Sequence, residues 1–432
     1  MKFLETLRNA WKVKDIRTKI LFTLAMLLVF RLGTFVPVPG VDAGQIPGIL
    51  GGGEEGVDGL IGLFDTLGGG AFANFSIFAM GIMPYINASI IMQLLTVVVP
   101  TFERWSKEGE EGKKKLQQAI RYATVIIGSV QSIGLSFAFR NAISGYWDFT
   151  AFERFTSITL IVLSLTAGTA FLMWLGEQIT EKGIGNGISL IIFAGIVSQL
   201  PVTVTQYYQL LAAGTVSIFA VALLLLVAVM VVAGVVYIQE GERRIPVQYA
   251  KRVVGRKMYG GQATHIPLKV NQAGVIPVIF ATSILMFPSA IGQFTDNAVV
   301  SAIAGFFEIG SISGQILQVV LIVFFAYFYT AITVNPEDLA DNMKKNGGFI
   351  PGIRPGRPTA GHIQTILSRI TLVGAIFLAL IVMLPFILGG LVDGINIGIG
   401  GTSLLIVVGV ALETMKQIES QMLMRHYKGF MS

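Results

Sequence analysis

Residues 217–238 read SIFAVALLLLVAVMVVAGVVYI, a run without a single charged side chain. About 20 apolar residues in a helix cross the hydrocarbon core of a bilayer, because a helix satisfies its backbone hydrogen bonds internally. Nine other stretches have a similar length and composition, and hydrophobic residues make up 53% of the chain. The chain is therefore predicted to be an all-α integral membrane protein with ten transmembrane helices. The predicted spans are 20–38, 72–97, 117–139, 155–176, 184–204, 217–238, 273–294, 314–334, 366–389 and 400–419.

The basic residues indicate how the chain lies in the membrane. Of the 31 Lys and Arg residues, 28 lie in the terminal segments and in alternate gaps between the spans. The other gaps contain only Arg140 and Arg154, and Arg31 lies near the outer end of the first span, where its guanidinium can extend outward. Because basic loops stay in the cytoplasm, both termini are predicted to be cytoplasmic. The net charge of +6 suits anionic lipid or an acidic partner.

Three spans differ from the rest by carrying small and polar residues. The second contains Pro84 and Asn87, the fifth opens on a glycine-rich run at 183–187, and the seventh contains Pro277 and Ser283. Such residues inside a membrane face other helices or a wet cavity. A central cavity between these spans and close helix packing are the two interpretations that the residues leave open.

A short amphipathic helix is predicted at 57–67, within the outer segment between the first two spans. Its apolar residues recur at helical spacing, and glycine runs flank it on both sides. Eleven residues are too few to cross a bilayer as a helix. The segment is predicted either to rest on the outer membrane surface or to fold back into a cavity between the spans.

The chain carries little that could perform covalent chemistry. It has no cysteine, its three histidines lie in predicted cytoplasmic segments, and HExxH, GxSxG and P-loop motifs are absent. No Asp or Glu lies deep in a span, where a proton relay would need one. A conduit or a scaffold is therefore favoured over an enzyme, with no metal or cofactor. The alternative function is a secondary transporter of an organic solute, since Pro and Gly also break transporter helices at the midplane.

Motifs along the chain resemble those of the SecY family of bacterial protein-translocation channels. The second span contains Gly81-Ile-Met-Pro-Tyr-Ile86, and the entry to the fifth contains Gly183-Ile-Gly-Asn-Gly-Ile-Ser189. The other matching motifs are Gly176-Glu-Gln-Ile179, Thr264-His-Ile-Pro-Leu-Lys-Val-Asn271, Ala273-Gly-Val-Ile-Pro277, Asn335-Pro336, Gly352-Ile-Arg-Pro-Gly356 and Gly400-Gly-Thr-Ser-Leu-Leu-Ile406. They follow the family's order over nearly the whole chain.

The resemblance implies two pseudo-symmetric five-helix halves, 1–205 and 206–432, around a central hourglass pore. The implied ring of apolar residues at its waist comprises Ile82, Ile86, Ile188, Ile192, Ile279 and Ile406. The helix at 57–67 would be the plug, with Leu60, Ile61, Leu63, Phe64 and Leu67 as its apolar residues. Spans two, three, seven and eight would form a lateral gate toward lipid, with Asn87, Gln131, Asn271 and Ser283 as polar candidates. Each of these four residues equally fits an ordinary interhelical hydrogen bond.

The implied function is a channel that moves unfolded secretory polypeptides across the bacterial plasma membrane and releases apolar segments sideways into lipid. The implied partners are SecE, SecG, the SecA ATPase or the ribosome, a polypeptide with a signal sequence, and anionic lipid, with nucleic acid expected only as ribosomal RNA. The cytoplasmic loops at 239–271 and 335–364 would dock the motor or the ribosome. The candidate docking residues are Arg354, Arg243, Arg244, Lys251, Arg252, Arg256 and Lys257. The alternative for these charges is that they only set topology or contact lipid headgroups.

Overall fold

The computed structural model describes residues 11–42, 44, 46, 65–143, 146–147, 149–249, 252–254, 257–259, 263–292, 298–308, 311–389 and 401–428. Within these ranges the chain is mainly helical. The helices are α1 (Lys14–Gly33), α2 (Met83–Val98), α3 (Pro100–Lys107), α4 (Glu110–Ala138), α5 (Ala151–Lys182), α6 (Gly187–Ala212), α7 (Ile218–Glu240), α8 (Ile276–Gly292), α9 (Ala298–Phe306), α10 (Ile312–Thr333), α11 (Pro336–Lys345), α12 (Arg357–Gly389) and α13 (Gly401–Lys428). The strands are β1 (Glu242–Tyr249), β2 (Arg252–Val254), β3 (Lys257–Tyr259), β4 (Ala263–Lys269) and β5 (Gly348–Phe349).

Ten helices overlap the ten predicted spans: α1, α2, α4 to α8, α10, α12 and α13. Over the described ranges, seven helices are long and apolar enough to cross a membrane, and the bent pair α2–α3 makes an eighth. The apolar part of α8, Ile276–Met286, is shorter than a full span. The prediction of an α-helical membrane fold is confirmed.

The second span departs from its predicted start. Residues 72–82 form turns, and α2 begins only at Met83, so the predicted helix from residue 72 is wrong over this stretch. Gly81 has φ +55°, and Pro84 lies in the first turn, where its missing N–H leaves no helical bond unmade. At the other end, α3 turns away from α2 by 99°.

The helices pack chiefly within two groups. In the first group, α4 packs against α2 and α5, and α5 packs against α1 and α6. In the second group, α10 packs against α8 and α12, while α13 packs against α7 and α12. The two groups meet where α2 contacts α8 and where α6 contacts α13. Any cavity between the groups is therefore bounded by these four helices.

The two loops predicted to be cytoplasmic contain β-strands that were not predicted from the sequence. β1 pairs with β4 along its length, and the short β5 of the second loop pairs with the other edge of β1. Ile245 and Val247 alternate with exposed residues on β1, and both pack in a core with Ile363 and Leu367 of α12. The sheet thus joins both loops to the end of a transmembrane helix.

Candidate functional site

A small apolar cavity lies between the two helix groups. Its volume is about 20 Å³, which is room for about one water molecule. Five of the six isoleucines predicted for the ring line it: Ile82, Ile86, Ile192, Ile279 and Ile406. They come from both groups, because Ile82 and Ile86 belong to the start of α2 and Ile192 to α6, whereas Ile279 lies on α8 and Ile406 on α13.

Side-chain burial shows how tightly this waist is closed. Ile406 is 1% exposed and Ile192 is 3% exposed, and both belong to the largest apolar core of the protein. Apolar constrictions of this size exclude water and ions by dewetting. The arrangement can therefore hold a seal without any charged group.

The sixth predicted ring residue, Ile188, lies elsewhere. Its side chain packs against α5 at Gly176, where any Cβ would collide with the Ile188 Cδ1 atom at 2.5 Å. The Asn186 side chain caps α6 by accepting the Ile188 and Ser189 backbone N–H groups. Ile188 is therefore in the first turn of α6 beside α5, and it is not among the residues that line the small cavity.

The end of the predicted plug reaches the waist. Leu67 and Gly68 line the cavity together with the isoleucines. Of the other predicted plug residues, Leu60, Ile61, Leu63 and Phe64 lie outside the described residues. Among the described residues, one predicted plug residue, Leu67, therefore lines the waist cavity.

The four polar residues predicted for the lateral gate lie apart from one another. Ser283 lines the apolar cavity and is 1% exposed, while Asn271 lines a separate, wider cavity and donates its Nδ2–H to the Gly274 carbonyl oxygen at 3.0 Å. Asn87 on α2 and Gln131 on α4 are half-buried. The structure does not join them into one cluster, although the α2–α8 contact lies at the predicted seam.

One polar contact near this seam was not predicted. Gln318 of α10 is 3% exposed and donates its Nε2–H to the Thr282 hydroxyl of α8 at 3.4 Å. Thr282 also lines the waist cavity. The signal in the sequence is the pair Gln315 and Gln318, three residues apart in an otherwise apolar span.

A second, wider cavity has a volume of about 390 Å³. Its walls combine apolar residues, such as Val275, Ile276 and Leu412, with polar ones. They include Asn186, Ser189, Gln239, Lys269, Asn271, Gln272, Tyr329, Glu413, Lys416, Gln417 and Ser420. Both cavities are lined by residues of α8 and α13, namely Ile276 and Gly409 in the wider cavity and Ile279 and Ile406 in the smaller one.

Three of the predicted docking residues lie on the sheet β4–β1–β5 or in the turn beside it. Arg354 is exposed in a turn whose glycines, Gly352 and Gly356, have φ of +82° and +102°, and its own carbonyl accepts the Thr359 hydroxyl at 2.9 Å. Arg243 and Arg244 are exposed on β1. The strand β5 pairs with the Gln248–Tyr249 end of β1, so the Arg354 turn follows a strand of the same sheet that carries Arg243 and Arg244.

The other four docking candidates all lie within residues 251–257 of the first loop. Arg252 and Lys257 lie on the two paired strands β2 and β3, and only their backbone is described. Lys251 and Arg256 lie outside the described residues. The roles of all seven basic residues stay predictions.

Comparison with known proteins gives consistent results. The SecY family model matches residues 76–415. The protein translocase subunits SecY of Halalkalibacterium halodurans and Bacillus subtilis are each 50% identical to this chain, over 98% and 99% of it and 99% of their own lengths. A solved protein-conducting channel has a TM-score of 0.65 at 18% identity, and a SecY structure studied for its plug domain has a TM-score of 0.67 at 20% identity. Both alignments cover 93% of this chain and 91% of the solved one. The chain belongs to the SecY family.

Proposed function

We propose that this chain is the protein-conducting channel of a bacterial plasma-membrane translocase. The observation that carries the proposal is the convergence of five isoleucines from both helix groups on one small apolar cavity. Aliphatic side chains at the waist fit around a passing polypeptide of any sequence, because their contacts are non-directional. Transport of this kind makes and breaks no bond, so the chain needs no catalytic residue. Family membership favours this function over the solute transporter that the sequence left as its alternative.

The same proposal assigns two exits from the waist. Secretory polypeptides cross to the outer side, whereas a sufficiently apolar segment partitions sideways into lipid where α2 meets α8. The division into halves at 1–205 and 206–432, the plug at 57–67, and the gate residues Asn87, Gln131, Asn271 and Ser283 belong to this proposal. The packing of the helices in two groups supports it.

Directionality requires partners, because the channel itself supplies no energy. We assign the exposed cytoplasmic surface around Arg354 and β1 to a motor ATPase such as SecA or to the ribosome, and we assign SecE and SecG as membrane partners. Two solved relatives of this fold are a canine Sec61 channel and a yeast Ssh1 complex, both described with a ribosome.

The function is tested by transport into proteoliposomes. The purified chain with SecE and SecG is reconstituted, and an unfolded secretory precursor is added with SecA and ATP. Protease-protected precursor inside the vesicles is the expected result. A matched precursor with its signal sequence deleted is the control, and equal protection of both precursors, or of neither, would contradict the assignment.

The proposed orientation predicts the labelling of single cysteines, which are unique because the chain has none of its own. A cysteine at position 215, between α6 and α7, is expected to react with an impermeant maleimide added outside intact cells. A cysteine at position 252, on β2, is expected to react only after the membrane is permeabilised, because basic loops are retained in the cytoplasm. Labelling at 252 in intact cells would refute this topology.

A further inference from the structure

Residues 65–70 are here called the anchor segment. They include the end of the predicted plug and lead into the turns before α2. Arg31 of α1 donates a hydrogen bond from Nη1 to the Gly69 carbonyl oxygen at 2.6 Å and to the Ser198 hydroxyl of α6 at 3.2 Å. Its guanidinium carbon lies 4.7 Å from the centre of the Phe35 ring. The Arg31 guanidinium therefore joins α1, the anchor segment and α6.

Asp65 makes a second set of bonds at the start of the anchor segment. Its carboxylate accepts the Ala73 backbone N–H at 2.8 Å and the Gln199 Nε2–H of α6 at 3.1 Å. Burial raises the pKa of the Asp65 carboxyl above its usual range, against the lowering effect of these hydrogen bonds. In both hydrogen bonds the carboxyl oxygens are the acceptors, and the oxygen of a neutral amide can accept as well.

The backbones of the anchor segment and α6 are also in close contact. A Cβ on Gly69, where φ is +70°, would lie 3.0 Å from Gly195 Cα of α6, and a Cβ on Gly195 would lie 2.5 Å from the Leu67 carbonyl oxygen. Only glycine at both positions lets the two backbones approach this closely. The anchor segment therefore rests directly on α6.

These contacts all belong to the first helix group. The hydrogen-bond partners of Arg31 and Asp65 described above lie on α6 or within the chain from 65 to 73. The waist, in contrast, combines residues of both groups. Separation of α2 from α8 would open the waist while breaking none of the four hydrogen bonds.

We propose that Arg31 and Asp65 are positioning residues that fasten the trailing end of the plug to α1 and α6. Their four hydrogen bonds form a joint, and the channel opens while this joint stays closed. The proposal rests on the proposed function, because it describes how one channel is opened and resealed. In the resting state the joint holds Leu67 and Gly68 at the waist.

The first test weakens the joint and measures the ion leak of reconstituted resting channels. Arg31→Met and Asp65→Ala are each expected to raise the leak about tenfold, as a change of ~1.4 kcal/mol in the closed state would do. Asp65→Asn is expected to restore the seal, because the amide oxygen still accepts the Ala73 N–H and Gln199 can turn its own oxygen toward the amide. If the substitutions at position 65 raised the leak only by destabilising the fold, Asp65→Asn would not selectively keep the leak low.

Arg154→Met is the matched control. Arg154 also donates to loop carbonyl oxygens, those of Tyr146 and Trp147 at 3.1 Å, and faces the Tyr146 ring, but it makes these contacts outside the anchor segment. Its leak should equal that of the wild type. Wild-type leak in both Arg31→Met and Asp65→Ala, or an equal rise in Arg154→Met, would overturn the proposal.

The second test locks the joint with a short bifunctional thiol reagent between cysteines at positions 65 and 199. Cross-linking should be efficient in the resting channel, and the locked channel should translocate a precursor at the rate of the same variant before cross-linking. No cross-link, or a cross-link that stops transport, would contradict a joint that stays closed. Wild-type protein is assayed in parallel, and failure of the wild type to translocate would count against the proposed function instead.

Discussion

Replacing Ile406 with asparagine is expected to raise the ion leak of the resting channel by roughly ten- to a hundredfold. Ile406 is 1% exposed at the waist and faces the cavity that isoleucines of α2, α6 and α8 also line. A buried isoleucine side chain stabilises its state by about 1.5–3 kcal/mol, and an amide in its place favours water in the constriction. The closed state should lose most of this stabilisation. The same substitution should also admit precursors with defective signal sequences, because less energy is then needed to open the waist.

The control for this prediction keeps the volume and the apolar character of the side chain. Ile406→Leu should leak little more than the wild type, since volume-conserving swaps in a core usually cost less than about 1.5 kcal/mol. Single-channel conductance of purified, reconstituted variants measures the effect. Wild-type conductance in Ile406→Asn, or equal leak in Ile406→Asn and Ile406→Leu, would count against a dry isoleucine seal.

Reversing the charge of Arg354 is expected to abolish most ATP-driven translocation while leaving the channel intact. Arg354 is exposed in a turn that contains Gly352, Pro355 and Gly356. This turn follows β5, which pairs with β1 and so joins the two loops in one sheet. Arginine at such a site can form forked hydrogen bonds to a carboxylate or to backbone carbonyls of a partner. Loss of a central contact of this kind costs at least about 2 kcal/mol, or roughly 30-fold in docking affinity. Motor binding and precursor transport into proteoliposomes measure the result.

Arg357→Glu provides a matched control in the same loop. Arg357 is also exposed, but it begins α12, where a carboxylate suits the helix N-terminus. Arg357→Glu should therefore retain transport, whereas Arg354→Lys should be impaired if forked geometry matters and unimpaired if charge alone does. Full transport by Arg354→Glu would end the assignment of this turn to motor docking.

The membrane spans could be predicted from the sequence because their signal is local. Long apolar runs and the distribution of basic loops need no knowledge of neighbouring helices, and α7 is the clearest case. The start of α2 was harder to predict, because residues 72–82 are as apolar as a span and yet form turns up to Gly81. The sheet β4–β1–β5 was missed because β1 and β5 pair across about 100 residues of chain, a long-range contact that composition does not report.

The site residues also differ in whether they could be predicted from the sequence. Ile82, Ile86, Ile192, Ile279 and Ile406 were inferred from family motifs, and the structure brings these five to one cavity. For Arg31, the sequence indicates only a position near the outer end of the first span. Its actual partners, Gly69 and Ser198, lie on segments far along the chain, so only the folded structure could bring them together.

The most direct test of the proposed channel is photo-cross-linking of a precursor halted during translocation. A photoreactive amino acid is placed at position 406 or 192 in the waist, or at position 226 on the exposed face of α7. A folded domain fused to the end of the precursor halts it part of the way through. Cross-links from 406 and 192 to the hydrophilic part of the precursor, and none from 226, are the predicted result. Absence of cross-links from both waist positions while translocation proceeds would show that the polypeptide takes another route.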